Sequence, residues 1–218
     1  MIYDISPPLD EDIAVWPGDT AFRATTNMSL ESGDTVRLSD IRLSCHTGAH
    51  ADAPAHVLRD GATIDRLPLE IFMGPCQLRE VTPREGLVHS SAIEALGLIA
   101  PVDRLLLRTS TGRDREAFCE DFAALTPGAA EYLGHLGLVL LGLDSPSVDP
   151  FDSEELPVHK ILYRRGIANL ESLDLDGVPE GSYELIALPL RLVGRDASPV
   201  RAVLRRLDRE GDEHLKSG

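Results

Sequence analysis

The 218-residue sequence has few cysteines, few basic residues and no long hydrophobic run, and each deficit argues against a class of protein. Its three cysteines are odd in number and include no Cys-x-x-Cys pair, which argues against a disulfide framework and a cysteine-based zinc module. Twenty-one Lys and Arg residues against 36 Asp and Glu residues give a net charge of −15. That charge disfavours polyanionic partners, namely nucleic acid and anionic membrane surfaces.

Membrane and export signals are also missing. No segment approaches the roughly 18 apolar residues of a membrane span, and the N-terminus lacks the basic and apolar regions of a signal peptide. We therefore expect a cytoplasmic protein. No Gly-x-Ser-x-Gly segment is present, although serine hydrolases of the α/β type need one for their nucleophile. No Pro- or Ser-rich linker or repeat divides the chain, so we expect one domain over residues 1–218 with a polar tail from about residue 209.

The most informative segment, residues 45–56, reads Cys-His-Thr-Gly-Ala-His-Ala-Asp-Ala-Pro-Ala-His. It holds three of the seven histidines, and His46, His50, Asp52 and His56 share one side of an extended chain. A helix would bring the first two histidines together but direct the aspartate elsewhere, and the glycine and proline disfavour a helix. A fully extended segment of this length spans roughly 33 Å, so it must curve if the four side chains are to meet.

Gly48 and Pro54 are the residues that permit or impose this curvature. Single histidines are more often surface or core residues than ligands, but three histidines and a carboxylate at this spacing predict a metal or catalytic site. Neutral imidazole together with carboxylate suits Zn²⁺, Mn²⁺ or Fe²⁺ better than Ca²⁺ or Mg²⁺, which prefer oxygen ligands. We interpret residues 45–56 as a curved metal-binding loop.

Residues 46–56 resemble the signature of the cyclase family of metal-dependent amide hydrolases, and the chain is similar to the family's bacterial kynurenine formamidase branch. The similarity extends almost from end to end. Outside the signature it is carried by residues 15–19, 142–150, 156–159, 169–171 and 183–190.

The resemblance implies hydrolysis of N-formyl-L-kynurenine to L-kynurenine and formate, with two divalent cations per subunit. Zn²⁺ is the favoured cation and Mn²⁺ the alternative. Bound divalent cations polarise a carbonyl oxygen and lower the pKa of water from about 15.7 toward 7, which suits the hydrolysis of an unreactive amide. By the resemblance, His46, His50 and Asp52 hold the first cation. Asp52, His159 and Glu171 hold the second, with the two carboxylates bridging.

Two further residues receive roles from the resemblance. His56 would take a proton from the attacking water and return it to the departing aniline nitrogen. Trp16 would stack on the aromatic ring of the substrate. Burial statistics favour a core position for a lone tryptophan, but its place in the turn-rich segment 15–19 weakens that interpretation. The resemblance also implies a homodimer and a β/β/α fold of the swivelling type.

Apolar patterns along the chain indicate short strands interleaved with short helices, and hence a mixed-sheet α/β domain. The expected strands cover residues 2–5, 36–43, 76–81, 105–107, 138–141, 167–170 and 183–190, with 202–207 a strand or a helix. The segment 36–43 shows one phase shift and is either one bulged strand or two short strands that lead into the metal loop. The expected helices are 90–96, with Ser90 or Ser91 as its N-cap, 127–136, and one from Pro157 to Gly166.

Two alternatives to a formamidase remain. Another amidase of the family, acting on a cyclic amide such as isatin, would use the same metal site with a different pocket. A non-catalytic metal-binding protein would need ligands but no proton-transfer group, so His56 separates it from an enzyme. Asp144 is a candidate for a residue that supports the metal ligands without binding the cation itself. We expect Cys45 to be a packing residue. The remaining histidines, His89, His135 and His214, are expected to be structural.

Overall fold

A curled mixed sheet of nine strands runs through the computed structural model, which describes residues 1–98, 101–111 and 116–207. The strands are β1 (Ile2–Asp4), β2 (Arg23–Met28), β3 (Leu38–Arg42), β4 (His50–Asp52), β5 (Met73–Glu80), β6 (Leu87–Val88), β7 (Arg104–Arg108), β8 (Ala124–Leu125), β9 (Leu140–Leu143), β10 (Ala168–Glu171), β11 (Gly181–Ile186), β12 (Ala197–Pro199) and β13 (Val203–Arg206). The α-helices are α1 (Ser90–Glu94), α2 (Pro127–His135) and α3 (Pro157–Arg164). Single 3-10 turns lie at Leu30–Ser32, Pro54–His56, Ile64–Arg66 and Leu69–Phe72.

The strand order in the large sheet is β1-β13-β11-β5-β7-β9-β10-β4-β12. Its centre, from β5 through β7 and β9 to β10, is parallel, and the flanking pairs are antiparallel. Parallel strands are covered on both faces, which explains the continuous leucine runs of β7 and β9. Leu105 and Leu107 belong to a cluster that includes residues of all three helices, whereas Leu106 belongs to a second cluster on the other face.

The mixed α/β fold expected from the sequence is confirmed, and most of the predicted elements are present. The segment 202–207 contains strand β13, not a helix, and β11 ends at Ile186, before the predicted end at residue 190. The predicted N-cap of α1 is wrong: the helix begins at Ser90, so His89 occupies the N-cap position, and it makes no side-chain capping bond. The polar tail predicted from about residue 209 lies outside the described residues.

The segment 36–43 forms one strand, β3, which pairs with β2 as a separate two-stranded sheet. The register irregularity lies in β2, between Thr26 and Met28, not in β3 as the phase shift suggested. Both strands are exposed along nearly their whole length. The strand leads into the metal loop as predicted, since only residues 43 and 44 separate the end of β3 from the loop 45–56.

None of the helices in the described part of the chain combines the length and the apolar character that crossing a lipid bilayer requires.

Candidate metal centre

The segment 45–56 curves as expected, with a short strand in its middle and a turn at each end. His50 and Asp52 lie on β4, which pairs with β10 on one side and with β12 on the other. His46 lies in the turn before β4, and His56 ends the 3-10 turn that begins at Pro54. The pairing of β4 with β10 places Glu171 directly opposite His50.

His159 reaches the same place from the first turn of α3. That turn begins at Pro157, whose fixed φ and missing N–H suit the first helical position. Asp149 accepts hydrogen bonds from the Val158 N–H at 2.9 Å and from the His159 N–H at 3.0 Å. It also contacts His159 Nδ1 at 2.7 Å. One buried carboxylate therefore satisfies the helix terminus and fixes the orientation of the imidazole.

Two carboxylates and three histidines from four parts of the chain converge at one point. Asp52 Oδ1 lies 3.0 Å from His46 Nδ1 and 3.4 Å from His50 Nε2, while Asp52 Oδ2 lies 3.5 Å from His159 Nε2. Glu171 Oε2 lies 3.4 Å from His50 Nε2, and Glu171 Oε1 lies 3.2 Å from His159 Nε2. Each carboxylate thus presents one oxygen toward His50 and the other toward His159.

The second ring nitrogen of each of these histidines meets an oxygen acceptor. His46 Nε2 lies 2.9 Å from Asp196 Oδ2, His50 Nδ1 lies 2.8 Å from the Gly48 carbonyl, and His159 Nδ1 lies 2.7 Å from Asp149 Oδ2. In a neutral imidazole, the ring nitrogen that donates its N–H to such an acceptor holds the only ring proton. The other ring nitrogen then has a free lone pair. In all three rings that opposite nitrogen faces the carboxylates, which is the arrangement found around histidine metal ligands.

Several of the converging atoms lack a hydrogen-bond partner. Among the described residues, His50 Nε2, Asp52 Oδ1 and His159 Nε2 are buried and unpartnered. Buried polar atoms are nearly always paired, so three orphans at one point require an explanation. The distances of 3.0–3.5 Å between the facing atoms match the spacing of about 3.3 Å between neighbouring ligands of a tetrahedral cation with bonds of about 2.0–2.1 Å. The donor set therefore fits a divalent cation.

The electrostatics of the centre lead to the same conclusion. Burial lowers the pKa of His46, but the neighbouring Asp52 and Asp196 carboxylates have the larger, opposite effect. The pKa of His46 is therefore raised to about 9. Burial would raise the pKa of Asp52, but His50, His159 and His46 hold it well below its usual range. The carboxylates and imidazoles of the centre therefore favour each other's charged forms. A divalent cation would take over this compensation and displace protons.

His56 lies beside this centre on its more exposed side. Its ring centroid is 4.5 Å from that of His46 and 5.8 Å from that of His159. Burial lowers the pKa of His56 more than Asp52 raises it, so its imidazole is neutral near pH 7. His56 also belongs, with His46 and Asp52, to a group whose ligand atoms lie within 4.8 Å of one another. The geometry therefore allows both a proton-transfer role and a ligand role.

A cavity of about 670 Å³ opens onto the centre. Its lining includes the histidines at 46, 50, 56 and 159 and Glu171. Trp16, Phe118 and Phe151 form an aromatic wall, with the tryptophan ring centroid 5.1 Å from each phenylalanine ring. Trp16 is half-buried and not enclosed in the core. Its position is compatible with contact to an aromatic ligand, which stays a prediction.

Sequence reasoning missed three residues around the centre, Asp149, Asn169 and Asp196. Asn169 donates to Asp52 Oδ2 at 3.0 Å and to Glu171 Oε1 at 2.9 Å, and it accepts a hydrogen bond from the Tyr163 hydroxyl at 2.7 Å. Asn169 could have been found, because it precedes Glu171 by two positions on a strand and so shares its face. Asp149 and Asp196 leave no comparable local signal.

The remaining residues that the sequence singled out are not among the clustered candidate ligands. Asp144 lines the cavity and accepts hydrogen bonds from the Thr109 N–H and hydroxyl and from the Ser110 N–H, so it holds the loop after β7. Among the described residues, neither group of clustered candidate ligands includes Cys45 or any other cysteine. His89 and His135 are likewise absent from both groups, and His214 lies outside the described residues.

The chain is similar to known proteins in both sequence and fold. Residues 3–150 match the Cyclase family model, described as "Putative cyclase". A curated relative, the kynurenine formamidase of Polaromonas naphthalenivorans, is 48% identical over 94% of this chain and 91% of its own length. A solved structure titled "The Structure Of Potential Metal-Dependent Hydrolase With Cyclase Activity" superposes with a TM-score of 0.81 at 32% identity, covering 94% of this chain and 96% of that chain. Isatin hydrolase A from Labrenzia aggregata superposes with a TM-score of 0.80 at 26% identity, covering 94% and 93%.

Proposed function

The chain belongs to the cyclase family, and from that premise we propose that it hydrolyses N-formyl-L-kynurenine to L-kynurenine and formate. The observation that carries the proposal is the buried cluster in which Asp52 and Glu171 each present one oxygen toward His50 and one toward His159. The cluster lies at a cavity with an aromatic wall, which suits a small aryl amide. The identity of the substrate is inferred from the relatives that are named kynurenine formamidase.

The proposed cofactor is a pair of divalent cations, with Zn²⁺ favoured and Mn²⁺ as the alternative. His46, His50 and Asp52 would hold the first, and Asp52, His159 and Glu171 the second. The three unpartnered atoms in the cluster support this assignment, since a cation would satisfy them. When bound, such cations polarise the carbonyl oxygen and acidify water, which overcomes the low reactivity of an amide.

The chain's own residues contribute orientation and proton transfer. The acceptors Asp196, Gly48 and Asp149 keep the three ligand rings in position before substrate arrives. His56, neutral near pH 7, accepts the proton of the attacking water through its imidazole. It then donates that proton to the aniline nitrogen as the carbon–nitrogen bond breaks. Trp16 contacts the aromatic ring of the substrate.

We further propose that the protein is a homodimer of the cytoplasm. The hairpin of β2 and β3 supports the dimer, because two exposed strands are marginally stable without a partner surface. Its strand residues Leu38 and Ile41 are exposed hydrophobic side chains. Replacing Ile41 with lysine should shift a dimer toward monomer in sedimentation velocity. Cytoplasmic reducing conditions suit the three free cysteines, Cys45, Cys76 and Cys119.

The test of the activity is hydrolysis of formylkynurenine by the purified chain, with its cation content measured in the same preparation. We expect turnover that a chelator abolishes and that added Zn²⁺ or Mn²⁺ restores. Serine-hydrolase inhibitors should have no effect, and metal-free turnover would contradict the proposal.

An isatin hydrolase is the second candidate, because a solved isatin hydrolase superposes on this chain at 26% identity. The same cation cluster would serve both reactions, so the two substrates should be compared on one preparation. A higher kcat/KM for isatin than for formylkynurenine would favour this second candidate. Binding of cations without turnover of either substrate would favour a non-catalytic protein.

A further inference from the structure

Asp196 occupies a position that three separate backbone contacts determine. It directly precedes β12, whose Ala197 pairs with Asp52 of β4. Its own carbonyl accepts the Ala53 N–H at 2.8 Å, and the carbonyl of the preceding Arg195 accepts the Ile64 N–H at 2.9 Å. The residue is thus anchored to the strand that carries two of the candidate ligands, although no local motif marks it.

One oxygen of Asp196 serves two imidazole rings. Asp196 Oδ2 lies 2.9 Å from His46 Nε2 and 3.5 Å from His56 Nδ1. The rings of the two histidines are themselves tilted against each other with centroids 4.5 Å apart. On the opposite side of the His46 ring, Nδ1 lies 3.0 Å from Asp52 Oδ1. Asp196 therefore contacts both a candidate ligand, His46, and the candidate proton-transfer residue, His56.

We propose that Asp196 is a positioning residue that orients His46 for cation binding and His56 for proton transfer. By accepting the Nε2 proton of His46, the carboxylate leaves Nδ1 as the nitrogen that faces Asp52 and the cation. By facing His56 Nδ1, it leaves Nε2 as the nitrogen available to the reacting water. The part that concerns His56 rests on the proposed function, whereas the part that concerns His46 rests only on cation binding.

The side chain of Asp196 contributes little to the stability of the fold. It is 46% exposed, and ion pairs at such exposure add little to the free energy of unfolding. Nor does the described part of the chain place a Lys or Arg side chain in salt-bridge contact with Asp196. Its removal should therefore leave the fold intact and act through the two histidines.

The first experiment measures Zn²⁺ affinity by competition with a chromophoric chelator, using the full-length chain. Asp196→Ala should weaken the affinity roughly 10- to 100-fold, as is usual when the partner of a ligating histidine is lost. Asp196→Asn retains an oxygen that can accept the His46 proton, so its loss should be smaller. Arg195→Gln, at the preceding position, is the matched control and should equal the wild type. An Asp196→Ala affinity within twofold of the wild type would overturn the proposal for His46.

The second experiment measures the effect of Asp196→Ala on kcat at saturating Zn²⁺, once in the wild-type protein and once in a His56→Ala variant. In the wild-type background Asp196→Ala should lower kcat roughly tenfold or more. In a His56→Ala background it should lower kcat no further, because the two residues act as one unit. A full additional loss in that background would overturn the proposal for His56. If the wild type does not hydrolyse formylkynurenine, the proposed function fails, while the Zn²⁺ affinities still test the role toward His46.

Discussion

Replacing Glu171 with glutamine tests whether distant parts of the chain form one cation centre. Glu171 lies on β10, is buried, and faces His50 with one oxygen and His159 with the other. Glutamine preserves the shape and volume of the side chain. Its amide oxygen can still accept hydrogen bonds from Val148 and Asn169, as Glu171 Oε1 does at 3.0 Å and 2.9 Å. The substitution therefore removes one negative charge and little else.

The expected effect follows from the burial of that charge. Removing one partner from a buried charge pair costs about 3–5 kcal/mol, which corresponds to a loss of cation affinity of roughly 10²- to 5 × 10³-fold. Cation content should fall, most at the position shared with His159, and turnover should collapse.

The assay is cation content by elemental analysis, together with formylkynurenine hydrolysis on the same sample. Asp52→Asn should behave similarly, and the double variant should be little worse than either single variant, since residues that act as a unit are not additive. Glu184→Gln, on β11 of the same sheet and paired with Arg205, is the control and should keep its cations. Full occupancy and near-normal turnover in Glu171→Gln would confine the centre to residues 46–56 and remove the second cation.

Three further predictions concern the acid–base group, the aromatic wall and the cation itself. His56→Ala should lower kcat by roughly 10²- to 10⁴-fold without loss of bound cation; a loss of cation would place His56 among the ligands. Trp16→Ala should raise KM for formylkynurenine roughly three- to tenfold, by loss of an aromatic contact, with a melting temperature within about 5 °C of the wild type. An unfolded or insoluble Trp16→Ala protein would show that the residue belongs to the core. Zn²⁺ added to chelator-treated protein at 100 times its dissociation constant should stabilise the fold by about 2.7 kcal/mol. The melting temperature should then rise by about 5–10 °C. An unchanged melting temperature would contradict a cation site that is present only in the folded state.

Buried strands such as β7 and β9 are predicted from the sequence, whereas the exposed strand β2 and the very short strand β12 are missed. Strands β7 and β9 are predictable because both faces are buried and a continuous apolar run marks each of them, residues 105–107 in β7 and residues 138–141 leading into β9. Strand β2 reads Arg-Ala-Thr-Thr-Asn-Met and is exposed, so no apolar alternation marks it. Strand β12 has only three residues and includes a proline, which is a poor strand signal.

The chemistry of the centre can be recognised without the fold. His46, His50, Asp52 and His56 lie within one segment of eleven residues, and the period of an extended chain is enough to place them on one side. Neither burial nor partner strands are needed to recognise that imidazole and carboxylate at this spacing suit a divalent cation.

The distant groups that complete and support that centre depend on tertiary structure. Strand pairing places Glu171 opposite His50, and the edge strand β12 brings Asp196 behind His46. Asp149 reaches His159 by capping α3. Strand register and helix capping are set by hydrogen bonds between segments far apart in the chain, and no local periodicity in the sequence encodes them. For that reason the ligand segment is recognisable in the sequence, whereas the acceptors that orient its histidines emerge only in the fold.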